Sequence, residues 1–209
     1  MEIINSQLIG TGACLPDFVL TNAMLEHMVD TNDEWIVQRT GVRERRIAKN
    51  MHTWELALGA AQDALADAKI DAGELDLILV STCTPDTNTP NTAAILQNKL
   101  GAGAIGAFDI NNACTGFVSA TDIADCYIKS GKAKTVLVVS AETLSRIVDT
   151  PTAAPASCSA TVQRRQFTAR PRTKVSASSP PLSRQTARVR SICAWKRCRS
   201  KTRSRRTAQ

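Results

Sequence analysis

A cysteine lies at the junction of two patterns in "FDINNACTGFVSA", residues 108–120. A strand that ends at Ile110 and a helix that begins near Cys114 would place the thiol at the N-terminus of the helix. The unpaired N–H groups and the helix dipole favour the thiolate there, and the thiolate is the form that attacks acyl groups. Small neighbours, Ala113 and Gly116, leave room for an acyl group and for an oxyanion near backbone amides. The spacing predicts a nucleophile, and a cysteine buried at the junction is the alternative.

The elements around this cysteine alternate between strand and helix. Four strands are predicted in "IINSQLIGTGACLP", "ELDLILVSTCTP", "GAIGAFDI" and "KTVLVVSA". The last three are apolar throughout, which is typical of strands covered on both faces. Helices are predicted in "LTNAMLEHMV", begun by Thr21 or Asn22, in "TWELALGAAQDALADAKI", and over residues 91–100 and 114–130. The order predicts an α/β fold with a parallel or mixed sheet between helices.

The charge distribution changes abruptly after Asp149. Residues 150–209 carry 15 Lys and Arg and no Asp or Glu, whereas residues 1–149 carry 11 basic and 19 acidic residues. The basic segment also has five of the eight prolines and no sustained period of 2 or 3.6. It cannot bury enough apolar surface to offset its chain entropy. We therefore predict a half-domain over 1–149 and a largely disordered basic tail over 150–209.

The seven cysteines show no C-x-x-C pair and no zinc-ligand spacing, so no metal site is predicted. The chain has no secretory signal and no apolar run long enough to span a bilayer. We expect a reducing cytoplasm and no membrane association.

Three separated motifs, "DTNDEWIVQRTGVRERRI", "STCTPD" and "NNACTGF", resemble in order and spacing the β-ketoacyl-acyl-carrier-protein synthase III enzymes. These enzymes belong to type II fatty acid synthesis and to the thiolase-like superfamily. The resemblance spans residues 1 to about 149. It implies the first of the two βα repeats of the thiolase-like α/β fold, and a homodimer.

The resemblance implies an acyltransferase in which Cys114 takes a short acyl group from acyl-CoA as a thioester. Malonyl carrier protein then decarboxylates, and its enolate attacks the thioester to give a 3-oxoacyl product. Acyl-CoA is a substrate, and no permanently bound cofactor is implied. Family members often have an aromatic residue near Asn88 or Thr89, and its absence here would alter the acyl preference.

The resemblance also assigns "DEWIVQRTG" to the CoA entrance. Trp35 would stack on the adenine, and Arg39 would contact the nucleotide end, which suits an indole and a guanidinium. For Arg43, Arg45 and Arg46 we expect a solvated charged face.

The family also uses a His and an Asn from its second half. This chain has only His27 and His52, both upstream of the cysteine and outside the family's histidine motif. We expect each to be a surface or helix-packing residue, which leaves the catalytic set incomplete.

The basic tail has an explanation in the reading frame. After "SRIVD" the family continues much like YTDRSTCVLFGDGAAAV. One reverse translation of residues 150–163, with a single t restored after the Asp149 codon, reads YTDRSTCVLFGDGA. We therefore interpret residues 150–209 as an out-of-frame product.

Two other interpretations remain open at this point. Related thiolase-like ketosynthases of the polyketide or quinolone type, or HMG-CoA synthase, share the cysteine at this junction. A basic tail could also bind nucleic acid non-specifically. The tail has only Phe167 and Trp195 as stacking residues and no recognition module, so no specific nucleic-acid partner is expected.

Overall fold

The computed structural model describes residues 4–148 and 192–199. The strands of these ranges are β1 (Ile4–Gly12), β2 (Val19–Thr21), β3 (Glu44–Arg46), β4 (Leu77–Ser81), β5 (Gly106–Ile110), β6 (Thr135–Ser140) and β7 (Ile192–Arg199). The α-helices are α1 (Asn22–Glu26), α2 (Asp33–Thr40), α3 (Thr53–Ala68), α4 (Thr92–Leu100) and α5 (Gly116–Lys129).

Five strands form one mixed sheet in the order β1, β7, β6, β4, β5. Strand β4 pairs in parallel with β5 and with β6, while β7 is antiparallel to both β1 and β6. Strands β2 and β3 form a separate antiparallel pair. The predicted α/β fold with a mixed sheet is confirmed.

Helices cover both faces of the sheet, as the apolar runs predicted. Ile78 and Val80 of β4 belong to the core with α3 and α4, whereas Leu77 and Leu79 belong to the core with α5. All five residues of β4 are buried. Strand β5 differs from the prediction, because it lies at the edge of the sheet and its residues are only partly buried or exposed.

Side-chain oxygens that accept from free backbone N–H groups determine where the helices begin. The Thr21 hydroxyl accepts from Met24 N–H and caps α1, as predicted. Asn32 accepts from Trp35 N–H at 2.8 Å and caps α2. Asp109 of β5 accepts from the N–H groups of Thr92 and Ala93, so the "FDI" motif holds the start of α4.

Strand β1 packs closely on α3 because it carries glycine at the contact. A β-carbon on Gly12 would lie 2.3 Å from the carbonyl oxygen of Ala60, so only glycine allows this approach. Two carboxylates of α3 extend the contact: Asp67 accepts from Thr11 N–H at 2.8 Å, and Asp63 accepts from Ala13 N–H at 2.9 Å.

The segment Ile192–Arg199 forms β7, which the expectation of a largely disordered tail did not include. Its sequence, ICAWKRCR, opens with four apolar residues. Between β1 and β6 an eight-residue strand satisfies backbone groups on both neighbours, which stabilises an extended conformation. The rest of the predicted tail, 150–191 and 200–209, lies outside the described residues. Within residues 4–148 and 192–199, no helix combines the length and the apolar character needed to cross a bilayer.

Candidate active site

The three parallel strands β4, β5 and β6 end side by side, and their carboxyl ends form one edge of the sheet, at right angles to the edge formed by β5. Thr82 N–H donates to the carbonyl of Ile110 at 3.1 Å, and Ala141 N–H donates to the carbonyl of Ser81 at 3.2 Å. The loops that follow β4, β5 and β6 therefore begin side by side. In α/β proteins this edge is where ligands bind.

Cys114 is exposed in the loop that follows β5. It lies in a 3₁₀ turn, Ala113–Thr115, and α5 begins at Gly116, two residues later than the sequence predicted. Both the N–H and the hydroxyl of Thr115 donate to the carbonyl of Asn112, at 3.1 and 3.0 Å. The Asn112 amide donates to Ser119 Oγ at 2.8 Å. These bonds hold the turn that presents the thiol to solvent.

Two residues beside Cys114 constrain the turn, Ala113 by its backbone angle and Gly116 by its close packing. Ala113 has a φ of 41°, in the left-handed region that non-glycine residues rarely occupy. Gly116 is buried against β4, where a β-carbon would lie 2.0 Å from Ser81 Oγ. Glycine is therefore required for α5 to begin this close to the sheet. The sequence prediction gave Gly116 a role in leaving space, and the structure shows that β4 occupies this space.

A second thiol, Cys83, lies at the same edge in the loop after β4. Glu142, which follows β6, accepts from Cys83 N–H at 2.9 Å, from the Cys83 thiol at 3.3 Å and from the Thr84 hydroxyl at 2.6 Å. Burial and then the Glu142 carboxylate raise the pKa of Cys83 to about 11, and the charge of Cys114 adds to the rise. Cys83 therefore stays a neutral thiol near neutral pH.

Glu142 was not identified from the sequence. Its acidic side chain follows the apolar run "KTVLVVSA" directly, and polar residues that follow buried strands are the signal that could have found it. Its carboxylate connects the loops after β4 and β6 beside the cysteine turn.

Trp35 and Arg39 lie together on α2. The guanidinium carbon of Arg39 is 4.7 Å from the centroid of the Trp35 ring, within cation–π distance. Trp35 is half-buried against the cluster of Leu25 and Ile36, while Arg39 is exposed. Their i, i+4 spacing on one helix produces this contact.

The expected solvated arginine face is wrong at one position. Arg43 is exposed and Arg46 is half-buried, but Arg45 has a relative accessibility of 1%. Arg45 Nη1 donates to Asn22 Oδ1 at 2.5 Å. The charge pattern alone gave no sign of this partner, because Asn22 lies 23 residues earlier in the chain.

Neither histidine belongs to the cysteine turn. His27 is exposed at the end of α1. His52 has a side chain that is 59% exposed, and its Nδ1 lies 3.1 Å from Asp86 Oδ1. It also stacks on Trp54. The expectation of surface or helix-packing roles is confirmed for both.

Asp86, from the "STCTPD" motif, holds the start of α3. Its carboxylate accepts from the N–H groups of Thr53 and Trp54 at 3.0 and 2.9 Å, and from Arg146 at 2.7 Å. Burial alone would raise the pKa of Asp86, but hydrogen bonds, led by those from Trp54 and Arg146, hold it below its usual range. This motif residue therefore has a structural role.

One polar group beside α2 has no partner within the described part of the chain. The hydroxyl oxygen of Thr31 is buried and makes no hydrogen bond. Thr31 directly precedes the cap residue Asn32 and lies four residues before Trp35. A buried hydroxyl without a partner lowers stability by about 1–3 kcal/mol. The neighbouring cap residue Asn32, in contrast, has its side-chain oxygen hydrogen-bonded.

Comparison with known proteins gives one consistent result. A model of the family described as 3-Oxoacyl-[acyl-carrier-protein (ACP)] synthase III matches residues 108–161. The β-ketoacyl-[acyl-carrier-protein] synthase III of Aquifex aeolicus is 53% identical over 146 residues, which are 70% of this chain and 47% of that protein. The protein of the same name from Thiobacillus denitrificans is 55% identical over 146 residues, 69% of this chain and 46% of that protein.

Solved structures show the same likeness. The crystal structure of 3-oxoacyl-[acyl-carrier-protein] synthase III from Aquifex aeolicus aligns with a TM-score of 0.75 at 39% identity, over 94% of this chain and 54% of that chain. The priming β-ketosynthase of the R1128 polyketide biosynthetic pathway aligns with a TM-score of 0.74 at 27% identity, over 94% and 50%. The thiolase-like fold class is thereby confirmed.

The chain spans about half the length of the curated relatives it matches. The two matches have identities above 50%, and the family model covers the NNACTGF motif. By sequence and by fold, this chain belongs to the 3-oxoacyl-[acyl-carrier-protein] synthase III family.

Proposed function

We propose that Cys114 is the nucleophile of an acyltransferase that takes a short acyl group from acyl-CoA. The sulfur attacks the thioester carbonyl, CoA leaves as a thiol, and the acyl group remains on Cys114 as a new thioester. The observation that supports this most directly is the exposed thiol in a hydrogen-bonded turn at the carboxyl edge of β4 and β5. The family names of the relatives agree with it.

In the complete reaction, malonyl carrier protein would supply the second carbon unit. Loss of carbon dioxide gives an enolate, which attacks the acyl-Cys114 thioester. The carbon–sulfur bond then breaks, Cys114 leaves as the thiolate, and a 3-oxoacyl carrier protein is formed. Neither histidine of the chain belongs to this turn: His27 lies exposed at the end of α1, and His52 contacts Asp86. We therefore propose that this chain loads acyl groups weakly and condenses them little or not at all.

The nucleotide end of acyl-CoA is proposed to bind at α2. The Trp35 ring offers a flat apolar surface for a base, and the exposed guanidinium of Arg39 is free to pair with phosphate. No permanently bound cofactor or metal is part of this proposal.

Incubation with radiolabelled acetyl-CoA tests the loading step. We expect label on the peptide that contains Cys114, and none after Cys114→Ser. Cys126→Ser is the matched control, because Cys126 is also an exposed thiol, ten residues into α5. Label that persists in Cys114→Ser, or that disappears in Cys126→Ser, would contradict the assignment.

A priming ketosynthase of a polyketide pathway is the second candidate. The R1128 enzyme supports it, because its TM-score of 0.74 is almost that of the Aquifex aeolicus protein. Loading assays with acetyl-CoA against longer acyl-CoA donors, followed by transfer to carrier proteins of each pathway, separate the two. Preference for a polyketide carrier protein would favour this candidate.

The setting of the reaction is also a proposal. We propose a homodimer in the cytoplasm, where acyl-CoA and carrier protein are available, with no specific nucleic-acid partner. Sedimentation measures the assembly. A gel shift at physiological salt tests the rival function of the basic segment, with residues 200–209, which follow β7, deleted as the control.

A further inference from the structure

A buried charge is connected by hydrogen bonds to α2, the helix of the proposed nucleotide site. Arg45, on β3, has a relative accessibility of 1%. A buried cation is strongly unfavourable unless hydrogen bonds compensate for lost hydration, and a buried arginine is therefore a group whose position is tightly determined. Arg45 makes such a bond, from Nη1 to Asn22 Oδ1 at 2.5 Å.

Asn22 connects Arg45 to α2 by hydrogen bonds. Asn22 has a relative accessibility of 2%, and its side-chain amide nitrogen donates to Asp33 Oδ1 at 2.6 Å and to the carbonyl of Val42 at 2.9 Å. Asp33 is the first residue of α2, and Val42 follows the left-handed Gly41 that ends it. One buried amide therefore holds both ends of the helix.

The helix that is held in this way carries the proposed ligand contacts. Trp35 lies two residues after Asp33, and Arg39 lies two residues before Gly41. Because α2 has only eight residues, a shift at either end moves both side chains. The orientation of the Trp35 and Arg39 pair thus depends on a network that includes the buried Arg45.

We propose that Arg45 is a positioning residue for the nucleotide end of acyl-CoA, acting through Asn22 and Asp33 on α2. This inference rests on the proposed function, in which α2 binds that end of the donor. Removal of the network loosens α2, and the affinity for the nucleotide falls while the chemistry at Cys114 is unaffected.

Two measurements separate this role from a general loss of stability. The first is the dissociation constant of CoA itself, by calorimetry on the full chain. The second is the rate of Cys114 acetylation by acetyl-CoA and by S-acetyl-N-acetylcysteamine, a thioester without a nucleotide. A merely structural defect lowers acetylation by both donors, whereas a positioning defect lowers it only for acetyl-CoA.

The variants are Arg45→Lys, Arg45→Met and Asp33→Ala. Asp33 is exposed, so Asp33→Ala keeps the test valid if Arg45→Met fails to fold. Matched controls are Arg43→Met, an exposed arginine of the same segment, and Glu34→Ala, the other acidic residue in the first turn of α2. Thermal unfolding is recorded for each variant.

We expect Asp33→Ala and Arg45→Met to weaken CoA binding about tenfold, as expected for loss of a charge-assisted hydrogen bond. Arg45→Lys should retain part of the affinity, and both controls should match the parent. Acetylation by the short thioester should stay unchanged in every variant. Equal losses with both donors, or no change in CoA affinity, would overturn the inference.

Failure of the proposed function gives a different pattern. If CoA binds and the variants weaken it while Cys114 is acetylated by neither donor, the nucleophile assignment fails and the role of Arg45 stands. If the parent chain does not bind CoA at all, the positioning role is overturned.

Discussion

Gly116 lies so close to Ser81 that a β-carbon on the glycine would be 2.0 Å from the serine hydroxyl oxygen and 3.2 Å from its β-carbon. This contact joins the first residue of α5 to the last residue of β4. The position of the cysteine turn relative to the sheet depends on it.

Gly116→Ala should lower the free energy of unfolding by about 1–3 kcal/mol, because the added methyl overpacks a buried contact. Urea unfolding measures the change. Gly116→Ala combined with Ser81→Ala should recover part of the loss, because the nearer of the two clashing atoms is gone. A Gly116→Ala chain as stable as the parent would contradict this account.

Cys83 should resist alkylation far more than the exposed Cys114 and Cys126. With a pKa of about 11, raised by burial and Glu142, its thiolate fraction at pH 8 is about a hundredfold below that of an ordinary thiol. Iodoacetamide labelling followed by mass spectrometry measures the rates. Glu142→Gln should speed labelling of Cys83, while Glu44→Gln, an exposed acidic residue on β3, should not. Equal rates at Cys83 and Cys114 would refute the prediction.

The Asp86 carboxylate should stabilise the fold, and this stabilisation should be lost at acid pH. Hydrogen bonds hold its pKa below the usual value in the folded state, so the unfolded chain binds the proton more readily. The stabilisation is present above the unfolded pKa, about 4, and is lost as the pH falls through the lower folded value. The stability difference between the parent and Asp86→Asn should therefore shrink below about pH 4 in urea unfolding. Asp30→Asn, at an exposed position, serves as the control.

Trp35 and Arg39 should contribute to CoA affinity as a pair. Arg39→Gln removes the cation over the ring and the phosphate partner, and should weaken CoA binding about five- to tenfold. Trp35→Phe should weaken it less than Trp35→Ala, because an aromatic face remains. Calorimetry with CoA measures each, and Arg43→Gln should bind as the parent does. An unchanged affinity in Arg39→Gln would remove α2 from the proposed site.

The gene should contain family sequence in the shifted frame after the codon of Asp149. Sequencing both strands tests this, with the expected reading YTDRSTCVLFGDGA when one base is restored. If no family-like sequence can be recovered in either shifted frame, the interpretation of residues 150–209 fails.

Much of the fold was predictable because several elements carry strong local patterns. Strands β4 and β6 are apolar runs and are buried almost throughout, and α3 has apolar residues at helical spacing on its buried face. In these elements the local sequence is enough to predict burial. Strand β5 has a similar apolar run, but its place at the sheet edge depends on which strands pair, and its own residues do not reveal this. Strand β7 was missed for the same reason, because its conformation depends on β1 and β6.

The residues of the candidate site also fall into two groups, those that local motifs reveal and those that depend on distant partners. Cys114, Trp35 and Arg39 could be named from motifs, and the cation–π contact follows from helical spacing. Arg45 could not, because its partner Asn22 is 23 residues away. Glu142 could be found only as a polar residue after a buried strand, and its partner Cys83, 59 residues away, could not be inferred. Such networks exist only after the chain has folded.

The left-handed backbone of Ala113 places a conformational penalty directly before the reactive thiol. Strain of this kind is of order 1–3 kcal/mol and persists only where the surrounding structure enforces it. Selection for heat resistance alone would favour glycine at this position, since glycine adopts the same φ without the penalty. The turn that carries the thiol would then have more conformational freedom. A substitution that removes this penalty is therefore expected to stabilise the fold and to hold the thiol less firmly.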